Sequence, residues 1–318
     1  MKKLLLLLII AFIIPANSLF AQETFTEVLN LSEKKLSKHF KLEWRTEKDW
    51  TPDTKYGQGT IPDLSRLDLK KIALVTYTIF APITTSKMMH TTTHQFLTES
   101  GIDYYANKLY NESIGEIKET FEEGGIELIT IDDMSDKQKQ ILADATGKTW
   151  LSNLDNKNSK MSKKLGAVND EGSKVGVTVE GYKNWTISRR IPVYWTNNMI
   201  AEIANALEVD AVLLIANELS PLQKKILYIN TVFTIIGKNP TPKIEGKTYP
   251  GLSYATGMWY SQYAFDSEEI EIATIKKGDI TSENYEDFDV IMGMLTRKML
   301  ESIEINTKKS QIIYDKKH

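Results

Sequence analysis

At 318 residues, with 42% hydrophobic and 25% charged residues, the chain is long enough to bury a core without staples, as one large or two small domains, and its composition excludes wholesale disorder. It has no cysteine, which excludes disulfides, thiolate metal ligands, a cysteine nucleophile and a lipid-bearing cysteine. The formal charge of −3 argues against nucleic acid as a partner.

Residues 1–21 read as a secretory signal peptide: Met1-Lys2-Lys3 is basic, Leu4 to Ile14 is unbroken and apolar, and Pro15 to Ala21 offers small residues for cleavage. The apolar run is far shorter than the about 20 residues a spanning helix needs, so cleavage is favoured over a retained anchor. It is expected after Ala21, with Ser18 as the alternative. Losing Lys2 and Lys3 takes the 39 basic residues to 37 against 42 acidic ones, a charge near −5. The product is expected to be exported, to the periplasm or the outer-membrane periphery.

Residues 22–68 form an N-terminal segment. Val28, Leu29, Leu31, Leu36 and Phe40 fit one helical face between Glu23 and about Phe40. From Lys41 to Asp68, Pro52, Gly57, Gly59 and Pro62 break any period, which predicts an irregular lead-in packing Trp44 and Trp50 on the body.

Lys70 to Phe80 is apolar and β-branched, the first core strand. A threonine-rich connection, Ala81 to His94, follows. Ala106, Leu109, Tyr110, Ile114, Ile117 and Phe121 then mark a helix stopped by Gly124-Gly125. Ile126 to Ile131 is a second strand, after which Asp133 is expected to cap a helix from about Met134 to Thr146, with Asp136 in its first turn. A flexible insertion is expected at about 150–190, with a hairpin of Val175–Val179 against Trp185–Arg189.

Asn197 to Leu207 is helical by its spacing of Ile200, Ile203, Ala204 and Leu207. It leads into Asp210 to Ala216, a run of the kind buried on both faces in parallel sheets. Lys225 to Ile236, with Leu227, Ile229, Thr231, Phe233 and Ile235 on one face, is expected to be central. Leu252–Tyr263 and Glu269–Ile275 are expected as a late β-hairpin. The chain closes with a helix from Asn284 to about Ile305 and a basic tail, 306–318, expected to be disordered.

This order predicts an α/β fold, with α+β as the alternative: a mixed, mostly parallel sheet flanked by helices over residues 69–305. No fixed-period repeat is present, which argues against propellers and solenoids.

Chemistry is sparsely signalled. His90 and His94 have zinc-site spacing, but no carboxylate follows the first histidine and a third ligand is missing, so no metal is expected. Asp132 and Asp133 stand where open α/β sheets place ligands, at the end of a strand, where helix caps also belong. No G-x-S-x-G elbow, P-loop or G-x-G-x-x-G motif is present, and no cofactor is expected. The threonine-rich loop, with Thr84, Thr85, His90 and His94, joins Asp132 and Asp133 as the candidate ligand or partner surface. Tyr254, Met258, Trp259 and Tyr260, with Tyr249 and Tyr263, form an aromatic set that fits a soluble sheet edge better than a membrane girdle, because strict alternation is broken at Trp259-Tyr260.

Two short motifs stand out. Lys71-Ile72-Ala73-Leu74 opens the first strand, and Val209-Asp210-Ala211-Val212, preceded by Glu208, opens a later one. Together with Gly124-Gly125-Ile126-Glu127-Leu128-Ile129 between them, the layout over residues 69–305 resembles the envelope α/β domain shared by the curli-secretion-channel family and the amino-terminal domain of TolB. Those families place K-x-A-V on the first strand and G-x-D-A-V before a later one, so Glu208 stands where glycine is usual. The chain departs from the channel family in having no lipid-bearing cysteine and no clear pair of membrane hairpins. It departs from TolB in having no propeller.

The resemblance implies a non-catalytic envelope module that works by contacts with a protein partner, with peripheral membrane association also compatible. Two alternatives stand beside it: a pore-forming or outer-membrane-associated subunit using Leu252–Tyr263, and a hydrolase with a pocket at His90, His94, Asp132 and Asp133. Whether the chain is an enzyme, and its oligomeric state, are left open by the sequence.

Overall fold

The computed structural model describes residues 24–42, 67–82, 87–88, 91–92, 99–145, 174–183, 193–222, 224–240, 243–244, 247–248, 251–261, 270–276 and 279–317. Residues 1–23, Trp44, Trp50 and Trp185–Arg189 lie outside them.

The first helix expected from the sequence is two short ones, α1 (Phe25–Leu29) and α2 (Glu33–Leu36), then a 3-10 turn and a strand, β1 (Phe40–Leu42). The break has a local cause. Thr24 and Glu27 close a capping box at the start of α1, and the chain turns at Asn30 before restarting beyond Ser32. The helical part of this segment joins the main body. Phe25 and Val28 are fully buried in the main core, and the Thr26 hydroxyl donates to the Asp287 carboxylate at 2.5 Å.

The long strand β2 (Lys71–Pro82) follows, and β3 (Lys87–Met88) and β4 (Thr91–Thr92) make a minor hairpin. Helix α3 (Glu99–Glu123) buries Ala106, Leu109, Tyr110, Ile117 and Phe121, as its spacing requires. Its end is a Schellman motif: Gly125 sits at φ +74°, Ile126 N–H donates to the Phe121 carbonyl, and Gly125 N–H donates to that of Glu122, both at 2.9 Å. Then come β5 (Glu127–Ile129), α4 (Asp136–Asp144), β6 (Lys174–Thr178), α5 (Val193–Ala206), β7 (Ala211–Leu222) and β8 (Lys225–Lys238). A minor hairpin of β9 (Lys243–Ile244) and β10 (Lys247–Thr248) leads to β11 (Gly251–Tyr260), β12 (Ile270–Lys276), β13 (Asp279–Glu283) and α6 (Phe288–Lys317).

Among the described residues nine strands form one mixed sheet, six along the path β1-β11-β8-β7-β2-β5 with β6, β12 and β13 beside it, and the fold is α/β. The parallel part is confined to β5-β2-β7, and every other pairing is antiparallel, which corrects the expectation of a mostly parallel sheet. β2 is internal and adjacent to β7. Two strands are long enough to hold two partners on one edge. Along β8, β12 occupies Lys225–Tyr228 and β11 occupies Asn230–Lys238. Along β2, β5 takes Lys71–Ala73 and β6 takes Thr78–Pro82.

β6 pairs with β2, and the Trp185–Arg189 half of the hairpin expected for it lies outside the described residues. One further expectation is corrected. The late hairpin is β12 with β13, because β11 and β12 lie end to end beside β8 and do not pair with each other. The closing helix also runs to Lys317, so the expected tail continues it.

Helices cover both faces. On one, α3, α6 and α1 pack on Ile72, Leu74, Tyr77, Leu213, Phe233 and Trp259. On the other, α4 and α5 pack on Ala73, Val75, Val212, Leu214 and Ile236. The alternation along β2 and β7 thus feeds two separate cores, which is why Ile72–Val75 and Ala211–Ala216 are apolar at every position. The parallel start is fastened by Asp210: its Oδ2 accepts from the backbone N–H of Lys70 at 2.8 Å and of Lys71 at 2.9 Å, while its own N–H donates to the Lys71 carbonyl at 2.9 Å.

Candidate functional site

The turn after β5 carries the two carboxylates singled out by the sequence. The Asp133 Oδ2 accepts from Thr130 N–H at 2.9 Å, from the Thr130 hydroxyl at 2.7 Å and from Lys118 Nζ at 2.8 Å. Desolvation pushes this carboxyl up, but the bonds from Lys118 and Thr130 outweigh it and hold its pKa at about 2. Asp133 is therefore the closure of a tight turn. It does not cap α4: that role belongs to Ser135, whose hydroxyl accepts from Gln138 N–H while the Gln138 side chain accepts from Ser135 N–H. Asp136 does stand in the first turn of α4.

Asp132 is exposed. Beneath this turn the Tyr182 hydroxyl accepts from Ile131 N–H at 3.0 Å and meets the Tyr110 hydroxyl at 3.0 Å. Burial raises both phenols, so neither is a base near neutrality. Tyr182 is brought there by Gly181, at φ +86°, where an added Cβ would lie 2.7 Å from Ile131 Cγ1. The same loop donates Val179 N–H to the Tyr77 carbonyl and Lys183 N–H to that of Val75, each at 3.2 Å, filling the edge of β2 between β5 and β6. Lys118, Tyr110, Tyr182 and Gly181 escape sequence reasoning because their partners are distant in the chain. Only the Glu180-Gly181 turn residue is a local signal.

Of the candidate surface, Asp132 and Asp133 are adjacent and divided in role. Thr84, Thr85, His90 and His94 lie outside the described residues, so the pocket expected of a hydrolase has only these two aspartates placed. Among the described residues no group of three or more His, Asp or Glu is arranged to hold a metal ion, and no helix is long and apolar enough to cross a membrane. The aromatic set of β11 is spent on the interior. Trp259 is fully buried against Phe25 and Tyr228, and Tyr254 is buried with its hydroxyl donated to the Lys238 carbonyl. Tyr249 and Tyr263 lie outside the described residues.

A cleft of about 180 Å³ lies between the start of α4 and the end of α5. Its polar groups are matched to one another: Lys137 pairs with Glu208 at 3.1 Å, and Gln138 Nε2 donates to the Leu207 carbonyl at 2.9 Å. It holds no converging set of donors for a ligand.

The chain matches no protein-family model, no curated protein and no solved structure in the comparisons made.

Proposed function

We propose that the chain is an exported bacterial envelope module that acts by binding or assembling other proteins and not by catalysis. The observation that carries the reading is the use made of Asp133. The carboxylate best placed for chemistry, at the end of a parallel strand, is consumed by three hydrogen bonds within its own turn and a neighbouring helix. The basic-apolar-small pattern of residues 1–21 supports export. The envelope α/β resemblance of the Lys71 and Asp210 motifs supports the setting.

The test is affinity capture of the tagged chain from its own envelope, with chemical crosslinking before lysis. A partner recovered in stoichiometric amount is the expected result. A lone monomer in the periplasmic fraction, with no crosslinked species, overturns the reading.

A further inference from the structure

The outer strand β13 pairs only with β12 among the described residues, and Ile280, Thr281, Ser282 and Glu283 are all exposed. Its backbone is oriented outward at a definable point. Asn284 N–H donates to the Ile272 carbonyl at 3.0 Å, which makes Ala273 and Glu283 a pair of the non-hydrogen-bonded type. The N–H and C=O of Glu283 therefore face away from β12, toward a strand position that β12 does not fill.

Edge strands of monomeric proteins are commonly guarded by lysine or proline. The sequence of β13, Asp-Ile-Thr-Ser-Glu, has neither; its protection is limited to five-residue length, a register irregularity against β12 and acidic ends, and between them it shows an isoleucine that is 42% exposed. Beside Glu283 stands Tyr104, 43% exposed, whose hydroxyl donates to Glu283 Oε2 at 2.8 Å while Tyr285 donates to Oε1 at 2.9 Å. The Tyr104 ring packs edge-on to Tyr105 at 5.4 Å. An exposed aromatic ring fixed at both ends has lost its rotamer freedom before any contact is made, which lowers the cost of binding through it. The strand carries two acids and no base.

We propose that β13 is a docking edge, on which a partner protein adds an extended strand bearing alternating apolar and Lys or Arg side chains. The partner's backbone bonds Glu283 N–H and C=O, its apolar side chains cover Ile280 and Tyr104, and one of its cations meets the Glu283 carboxylate. This inference rests on the contact-module reading above and names the surface that reading requires.

The experiment places a photoreactive phenylalanine derivative at position 280 of the full chain and, as a control, at position 290, where Val290 is exposed on α6. Both are expressed in the native cells, irradiated, and the crosslinked peptides are sequenced by mass spectrometry. The expected result is a crosslink from position 280, and not from 290, to one partner segment of alternating apolar and basic residues. Ile280→Lys, a guard residue on an exposed site that leaves thermal unfolding unchanged, is expected to reduce capture of that partner at least tenfold. Crosslinks from 280 to a second copy of this chain, equal yields from 280 and 290, or capture indifferent to Ile280→Lys overturn the docking edge while leaving the module reading in place. No partner by crosslink or affinity capture overturns both.

Discussion

Replacing Glu208 by glycine is expected to stabilise the protein. α5 ends in a Schellman motif: Glu208 N–H donates to the Asn205 carbonyl at 3.1 Å and Val209 N–H to that of Ala204 at 3.0 Å. The motif requires a left-handed residue, and Glu208 supplies it at φ +60°. For a residue with a Cβ that conformation costs about 1–2 kcal/mol. Glycine removes the cost but brings back roughly half of it as extra freedom in the unfolded chain. The Lys137–Glu208 ion pair is also lost, and with side chains 74% and 78% exposed it is worth only a few tenths of a kcal/mol. The net expectation is a gain of about 0.5 kcal/mol, or a Tm about 1–2 °C higher. The assay is urea unfolding followed by far-UV circular dichroism, where Cm rises at constant m. Lys137→Ala, run alongside, isolates the ion pair. α3 provides the converse, since Gly125→Ala places a Cβ at φ +74° in the same motif and is expected to lower Cm. A Glu208→Gly variant no more stable than Lys137→Ala refutes the strain argument.

Gly181→Ala, which needs φ +86° and drives a Cβ to 2.7 Å from Ile131 Cγ1, is expected to cost about 2–3 kcal/mol and to alter the near-UV signal of Tyr182. Asp210→Ala leaves the N–H groups of Lys70 and Lys71 without their acceptor and is expected to cost about 2 kcal/mol, read as a lower Cm; Asp210→Asn retains an acceptor oxygen and costs less. Asp133, held at about 2 against an ordinary 3.8, contributes stability that is present above pH 3.8 and lost as pH falls toward 2. Because its side chain is 41% exposed the contribution is about 1 kcal/mol, and the stability gap between wild type and Asp133→Asn should shrink over that window in urea titrations. Burial lowers the His39 imidazole, against a smaller opposing effect of its Nδ1 contact to the Tyr260 carbonyl, so stability should also begin to fall as pH drops below 6.5. His39→Gln, which has no titrating ring, should flatten that limb.

The parts of the fold legible in the sequence are those set by local periodicity. The α3 stripe from Ala106 to Phe121, its Gly124-Gly125 stop and the apolar runs of β2 and β7 follow from spacing and turn chemistry, which depend on neighbours in the chain. What escaped depends on length and distance. Nothing local tells that β8 is long enough to hold β11 and β12 in tandem, so a hairpin between the two was the natural expectation. The cap of α4 was legible and misassigned: Ser135-x-x-Gln138 is a capping box in the sequence, but Asp133, two residues earlier, offers the same chemistry. Only Thr130, which takes the Asp133 carboxylate in a turn, decides between them. The Tyr182 hydroxyl reaches Ile131 N–H across 51 residues, a pairing no period can reveal.

The two motifs behind the envelope resemblance turn out to touch. The lysines that open β2 give their backbone N–H groups to Asp210, which opens β7, and the residue standing where those families have glycine is the left-handed one that ends α5. Each motif residue thus plays a mechanical part, ending a helix, turning the chain or setting the register of two parallel strands. A sequence signal explained completely by strand assembly carries a fold and no chemistry. Chemistry or recognition must then come from what the assembly leaves over. On the described surface this includes Val290 and Ile312 on α6 and, together at one sheet edge, an outward backbone at Glu283, the exposed Ile280 and Tyr104. For this reason the edge at β13, and not the turn at Asp132 and Asp133, is where substitution should separate function from stability: Ile280→Lys should lose the partner and keep the fold, while Asp133→Asn should weaken the fold and keep the partner.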